Sequence, residues 1–251
     1  MIFSSLEFLC VFLPVTYILC LIIPSVKVQN GLLIVASLLF YAYGEPIYVL
    51  LMLLSALINY VSAIAIGKMR SGTEKRDGQE PGKWILVLNI ILNLGILGFF
   101  KYAGFLVGSV NSAFGLGISV PQIDLPIGIS FFTFQALSYV IDVYRGKVDA
   151  NRSFFQVLLY ICFFPQLIAG PIVKYRDIAE MIADRRMTAD QGASGLMRFI
   201  CGLSKKVLIA NACGMVADSV FAAGKGQVNA IVAWIGAGAY LMQIYYDFSG
   251  Y

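Results

Sequence analysis

The sequence predicts an all-α, polytopic membrane protein, and three observations carry that prediction. Of 251 residues, 59% are hydrophobic and only 13% charged, with a mean hydropathy of +0.82; a soluble domain runs at about 45–50% apolar and about 25% charged. Eight apolar stretches approach the roughly 20 residues that a membrane-crossing helix needs. The basic residues fall mostly in the connections between those stretches. A soluble globule could not bury this much apolar surface, and a disordered chain is polar and charge-rich. The formal net charge of +4, from 18 Lys+Arg against 14 Asp+Glu, therefore reads as a topology signal and not as a nucleic-acid surface. The lipid bilayer is the first partner implied.

The apolar stretches cover residues 6–23, 31–43, 46–66, 84–107, 125–144, 154–173, 195–213 and 228–251. The N-terminus lacks the basic region and small-residue cleavage site of a signal peptide, so the first stretch is expected to stay as a span. Residues 1–7 hold no Lys or Arg, which places the N-terminus outside by the positive-inside rule. Lys27 then falls inside and the Gly44–Glu45–Pro46 turn outside. Lys68, Arg70, Lys75, Arg76 and Lys83 mark an inside loop, 108–124 has no basic residue and falls outside, and Arg145, Lys147 and Arg152 return inside. Alternation then fails. The connection after 154–173 carries Lys174, Arg176, Arg185 and Arg186 and should also be inside. Pro165, Gly170 and Pro171 interrupt that stretch, so a segment that dips into the membrane and returns reconciles both signals. Residues 174–194, mixed in charge, predict an amphipathic helix plus a turn.

The chain contains no histidine, which removes the commonest general base and the commonest metal ligand. Cys10, Cys20, Cys162, Cys201 and Cys213 are odd in number, form no C-x-x-C pair and lie in apolar runs. They read as small core residues, and no metal site is expected.

Four constellations place polar groups at membrane depth. In 125–145, Asp142 and Arg145 are three apart and can pair on one helix face, in a functional or a structural ion pair. In 162–173, freed carbonyls and Gln166 either line a polar cavity or belong to a packed kink. Arg198 and Lys205, seven apart, share a face with Lys206 beside it. They suit the phosphates of a cofactor such as coenzyme A, or they snorkel to headgroups. Gln243 and Asp247, four apart near the end of the last run, are substrate-facing or buried and structural.

Read together, six stretches in order resemble the membrane-bound O-acyltransferase (MBOAT) family: MIFSSLEFLCVFLPV, SLLFYAYGEP, LPIGISFFTFQALSYVIDVYRGKV, FFPQLIAGPIVKY, FICGLSKKVLIAN and YLMQIYYDFSGY. The group they are most similar to is the bacterial alginate and peptidoglycan O-acetylation type. That resemblance implies a ring of tilted transmembrane helices with broken or re-entrant segments around a tunnel, in the cell (inner) membrane. It implies transfer of an acyl group, acetyl by the subgroup, from a cytosolic thioester such as acetyl-coenzyme A towards a polysaccharide hydroxyl outside. An extracytoplasmic acyltransferase or polysaccharide-assembly proteins are the implied partners. The family's basic histidine lies downstream of the FSGY motif, at which these residues stop. The expectation is thus an N-terminal part of a single MBOAT domain, residues 1–251, with no separate soluble domain and no activity alone. No catalytic residue is assigned. Gln166, Arg198, Lys205 and Asp247 are the tunnel- or cofactor-facing candidates, and Tyr144 and Arg145, in the DVYRG stretch, are expected to be structural. A transporter or flippase subunit, or a scaffold that recruits an acyltransferase, are the alternatives to the enzyme.

Overall fold

The computed structural model describes residues 5–72, 81–115, 117–119, 123–167, 170, 172–185, 188–224 and 228–250. Helices α1 (Leu13–Ile22), α2 (Val26–Gly44), α3 (Val49–Gly72), α4 (Lys83–Phe114), α5 (Ile129–Tyr144), α6 (Phe154–Cys162), α7 (Phe164–Leu167), α8 (Tyr175–Ala183), α9 (Ala189–Ser204), α10 (Asn211–Phe221) and α11 (Ala230–Ser249) follow in order. A π-helical turn, Phe8–Phe12, leads into α1, and another, Lys205–Ala210, joins α9 to α10. No strand occurs among the described residues. Val26–Gly44, Val49–Ser71, Lys83–Phe114 and the continuous Ala189–Phe221 are long and apolar enough to cross a membrane. The all-α polytopic class is therefore as the composition predicts. Lys75, Arg76, Pro171, Arg186 and Tyr251, which entered the topology and break arguments, lie outside the described residues.

The chain divides into two compact units, Cys10–Arg185 and Arg186–Tyr251, the latter with Ile2–Leu9. In the first, α5 packs against α3, α4 and α6, and α6 packs against α2, α3 and α8. Ten of the sixteen residues of α5 are buried, as is every residue of α6 from Val157 to Cys162. These two short helices are the core, and the longer helices α2, α3 and α4 surround it. In the second unit, α9, the π turn and α10 form one rod against which α11 packs.

Backbone chemistry sets where the helices stop. Pro126 and Gly128, with φ of +78° at Gly128, occupy a turn closed by Ile129 N–H to Pro126 O (3.2 Å). So α5 begins at Ile129, short of the predicted 125–144 span. The 154–173 stretch breaks at Phe163, which leaves the helical conformation at φ −55°, ψ 112°. Pro165 then sits in the first turn of α7, where its missing N–H costs nothing. By contrast, the predicted 31–43 stretch lengthens to all of α2, and the Gln29 side chain donates to Cys20 O (3.0 Å) and Ile23 O (2.7 Å), carbonyls released as α1 ends. The 195–213 stretch starts earlier, at Ala189, because Thr188 and Gln191 form a reciprocal capping box.

Helices α3 and α4 are joined by amides inside their apolar interface. Asn59 Nδ2 donates to Asn93 Oδ1 (3.0 Å), Asn93 Nδ2 returns a bond to Asn59 Oδ1 (3.3 Å), and Asn89 Nδ2 reaches Ser62 Oγ (3.0 Å). Outside, large apolar residues are bare: Trp84 is 85% exposed and Phe105 71%, as a lipid-facing surface requires. The cysteines correct the core reading in part. Cys162 is buried, Cys20 and Cys213 are half-buried, but Cys10 and Cys201 are exposed. With lipid as solvent, a small apolar residue needs no protein interior.

Candidate functional site: two polar clusters among apolar helices

The helix break between α6 and α7 organises the first cluster. A break leaves carbonyls without partners, which is costly away from water. Gln135, buried on α5, donates its Nε2 to Tyr160 O at 2.6 Å. The Tyr160 hydroxyl donates to Val173 O (2.9 Å), beyond the break, and shares a 3.4 Å contact with Ser138 Oγ. Gln135 Nε2 also reaches Gln166 Oε1 at 3.3 Å. Gln166, nominated from the sequence, thus stands beside a glutamine that the sequence reading did not single out.

Below it, three tyrosines stack. The Tyr175 ring lies 4.8 Å from Tyr139 and 5.2 Å from Tyr160. Asn151 Nδ2 donates to the Tyr175 hydroxyl (2.5 Å), while Tyr139 OH accepts from Asn151 N–H (2.9 Å). Burial pushes the Tyr175 phenol above its ordinary pKa, so it stays neutral. The α8 helix is held at its other end by Asn30, which donates to Ile182 O (2.8 Å) and accepts from Arg185 Nη2 (3.0 Å). Burial lowers the Arg185 pKa from its usual value.

The DVYRG stretch differs from the expected i, i+3 pairing. Asp142 faces Lys147 Nζ at 4.0 Å, because Gly146 turns the chain back at φ +70° after α5 ends. Arg70 Nη1 donates to Val143 O (2.6 Å), and its guanidinium occupies the space that a Cβ at Gly146 would need. Arg145 caps α5 through its N–H to Ile141 O (2.9 Å) and leaves its side chain exposed. Tyr144 is the last residue of α5.

The second cluster lies in the other unit, between the π turn and α11. Lys206 Nζ donates to Asp247 Oδ1 in an ion pair. Lys205 Nζ donates to Ser249 O at 3.3 Å, covering the carbonyl end of α11, where a cation also complements the helix dipole. Both lysines are thereby engaged by α11. Arg198 is exposed on α9. Gln243 packs flat on Gly214, where a Cβ would stand 2.9 Å from its Nε2, and its Oε1 is buried without a partner.

The geometry defines a class: a multi-pass membrane protein whose embedded polar groups converge on a broken helix and on a π-helical turn. Comparison with known proteins then fixes the kinship. The chain is 39% identical over 255 residues to "Probable alginate O-acetylase AlgI" of Pseudomonas syringae pv. tomato and 40% identical over 255 residues to the protein of that name in Pseudomonas aeruginosa. It is 33% identical over 283 residues to the "Peptidoglycan O-acetyltransferase" of Helicobacter pylori. Each match covers 100% of this chain, against 48%, 47% and 52% of the relatives. No family model matches the chain. Along their whole length these 251 residues are thus similar to proteins named as O-acetylases and O-acetyltransferases, the type that their motifs resemble. The chain spans about half the length of the curated relatives it matches.

Proposed function

We infer that the chain works as part of a membrane-bound O-acetyltransferase. The observation that carries this reading is similarity to alginate and peptidoglycan O-acetylating proteins along every stretch of the chain. The donor is a cytosolic thioester, acetyl-coenzyme A, and the acceptor is a hydroxyl of an extracytoplasmic polysaccharide or of a partner acyltransferase that carries the group onward. The protein sits in the inner membrane with its N-terminus outside, and residues 1–251 contribute to one membrane domain. The break between α6 and α7 is the turning point of a segment that enters and leaves on the inner side.

In the reaction the acceptor oxygen forms a bond to the thioester carbonyl carbon, the C–S bond breaks, and the acceptor's proton passes through a base to the leaving thiolate. The 251 residues include no histidine, so that base is not an imidazole of this stretch. Their part is to hold the donor: Gln166 faces the acyl path in the first unit, and in the second Asp247, Arg198 and Lys205 are cofactor-facing. Lys205 also covers Ser249 O.

The test is transfer of labelled acetyl from acetyl-coenzyme A in membranes that carry the whole gene product. Label appearing in a base-labile ester is expected, and its absence would leave the transporter and scaffold alternatives. Purified residues 1–251 alone should show no turnover above the uncatalysed rate.

A further inference from the structure

We propose that Gln166 donates a hydrogen bond to the acyl carbonyl oxygen of the donor, and that Gln135 is the positioning residue that aims it. This deepens the acyltransferase reading and rests on it. The argument is one of enforced orientation. Tyr160 O is a backbone carbonyl and can only accept, so the Gln135 atom 2.6 Å from it must be Nε2. The same nitrogen has a second hydrogen, and it lies 3.3 Å from the Gln166 side chain. The Gln166 atom there must accept, so it is Oε1. Two amides are thus locked in sequence by one backbone carbonyl, and the Gln166 Nε2 is left pointing away with both hydrogens available.

Among the described residues nothing accepts from that nitrogen, and it is not among the buried polar atoms left without a partner. Its direction is set by the bond that Gln166 Oε1 accepts from Gln135. Gln135 is 2% exposed and has no freedom to turn. Gln166 itself is half-buried on α7, at the break, one residue after Pro165. Gln166 lies within the four-residue α7, and the Tyr160 hydroxyl donates to Val173 O. A neutral donor pair on fixed backbone suits an acceptor oxygen whose negative charge grows during reaction, since no reorientation is needed as charge develops. Gln166 gives up no proton. The bond tightens as the carbonyl carbon becomes tetrahedral and relaxes when the C=O reforms and the thiol leaves.

The experiment uses the whole gene product in detergent or membranes, with acetyl-coenzyme A as donor. Gln166→Glu keeps size and keeps an oxygen for Gln135 to donate to, but removes both donors. It should lower kcat by about 10²-fold, leave KM for the donor nearly unchanged, and leave the unfolding midpoint with that of the unsubstituted protein. Gln135→Met should lower kcat by about tenfold, because Gln166 loses its aim. With carbonyl-¹³C acetyl-coenzyme A, the infrared carbonyl band of the bound donor should sit lower in the unsubstituted protein than in Gln166→Glu. Unchanged kcat and an unshifted band in Gln166→Glu would overturn the proposal. If that variant does not fold, Gln166→Asn, which withdraws the amide by one methylene, decides on the same two readouts. If the unsubstituted protein transfers no acetyl at all, the failure lies with the acyltransferase reading instead.

Discussion

Lys206 and Asp247 meet between helices whose other residues are overwhelmingly apolar, and this sets the worth of the pair. Ion pairs in open water contribute about 0–1 kcal/mol, whereas removing one partner of a pair closed off from water costs about 3–5 kcal/mol. Their side chains are 23% and 36% exposed, between those limits. Lys206→Met should therefore destabilise by about 1–3 kcal/mol, with Asp247→Asn similar. Lys206→Met combined with Asp247→Leu should regain most of the loss, since no charge is then stranded. Unfolding midpoints in detergent measure all three, and a single variant that melts with the unsubstituted protein would show the pair to be inert. The sequence exposed this site only by half. Gln166, Lys205 and Asp247 stood out as polar residues in apolar runs, and Lys206 as a neighbour. Who meets whom did not, because spacing along a helix gives a face but not what the face meets. Gln135 meets Gln166 across 31 positions and Lys206 meets Asp247 across 41. The same rule of polar residues at membrane depth, applied evenly, would have flagged Asn59, Asn89 and Asn93.

Between elements, the rod formed by α9, the π turn and α10 is aligned on α11 by a series of close approaches. Val220 meets Gly236, Gly214 meets Gln243, and Gly202 meets the carbonyl of Gly250. Small residues let helices come this near where lipid supplies no hydrophobic drive. Two glycines of α9 separate this role from mere helix propensity. A Cβ at Gly202 would collide with Gly250 O, while one at Gly195 meets nothing within 4 Å. Gly202→Ala should destabilise by about 1–3 kcal/mol through overpacking. Gly195→Ala should be neutral or stabilising by at most about 1 kcal/mol. Thermal unfolding of the pair in one detergent checks both signs, and equal effects would remove the packing argument. Element existence was legible in the sequence because apolar runs of span length have few other solutions in lipid. Their ends were less so. The start of α5 depends on a left-handed glycine, the start of α9 on a capping box, and the end of α6 on a non-helical Phe163. All three are local backbone events that hydropathy does not sense.

For the molecule in its bilayer, α4 supplies the ruler. Its 32 residues span about 48 Å at 1.5 Å per residue, against a hydrocarbon core of about 30 Å. Even a 40° tilt, the upper end of what is usual, would leave about 37 Å along the membrane normal. Part of this apolar helix must stand outside the hydrocarbon. Lys101 marks where. It lies 18 positions after Lys83, or about 27 Å, and its Nζ sits 5.5 Å from the centroid of the Tyr102 ring. Phe100 stacks edge-on against Tyr48 at 5.7 Å, Tyr48 OH donates to Asp124 O (3.1 Å), and Tyr43 is exposed nearby in sequence at the end of α2. Aromatic rings beside a lysine are what an interface selects. The helix beyond Tyr102 is then expected to project past the lipid, on the side that the charge pattern predicts to be external. With the five native cysteines replaced, Ser112→Cys should react with a membrane-impermeant maleimide on intact spheroplasts, and Ile91→Cys, exposed but ten residues before Lys101 on α4, should not. Labelling of Ser112→Cys only after lysis would reverse the orientation. No labelling in either state would mean that position 112 is in hydrocarbon and that Lys101 does not lie at the interface.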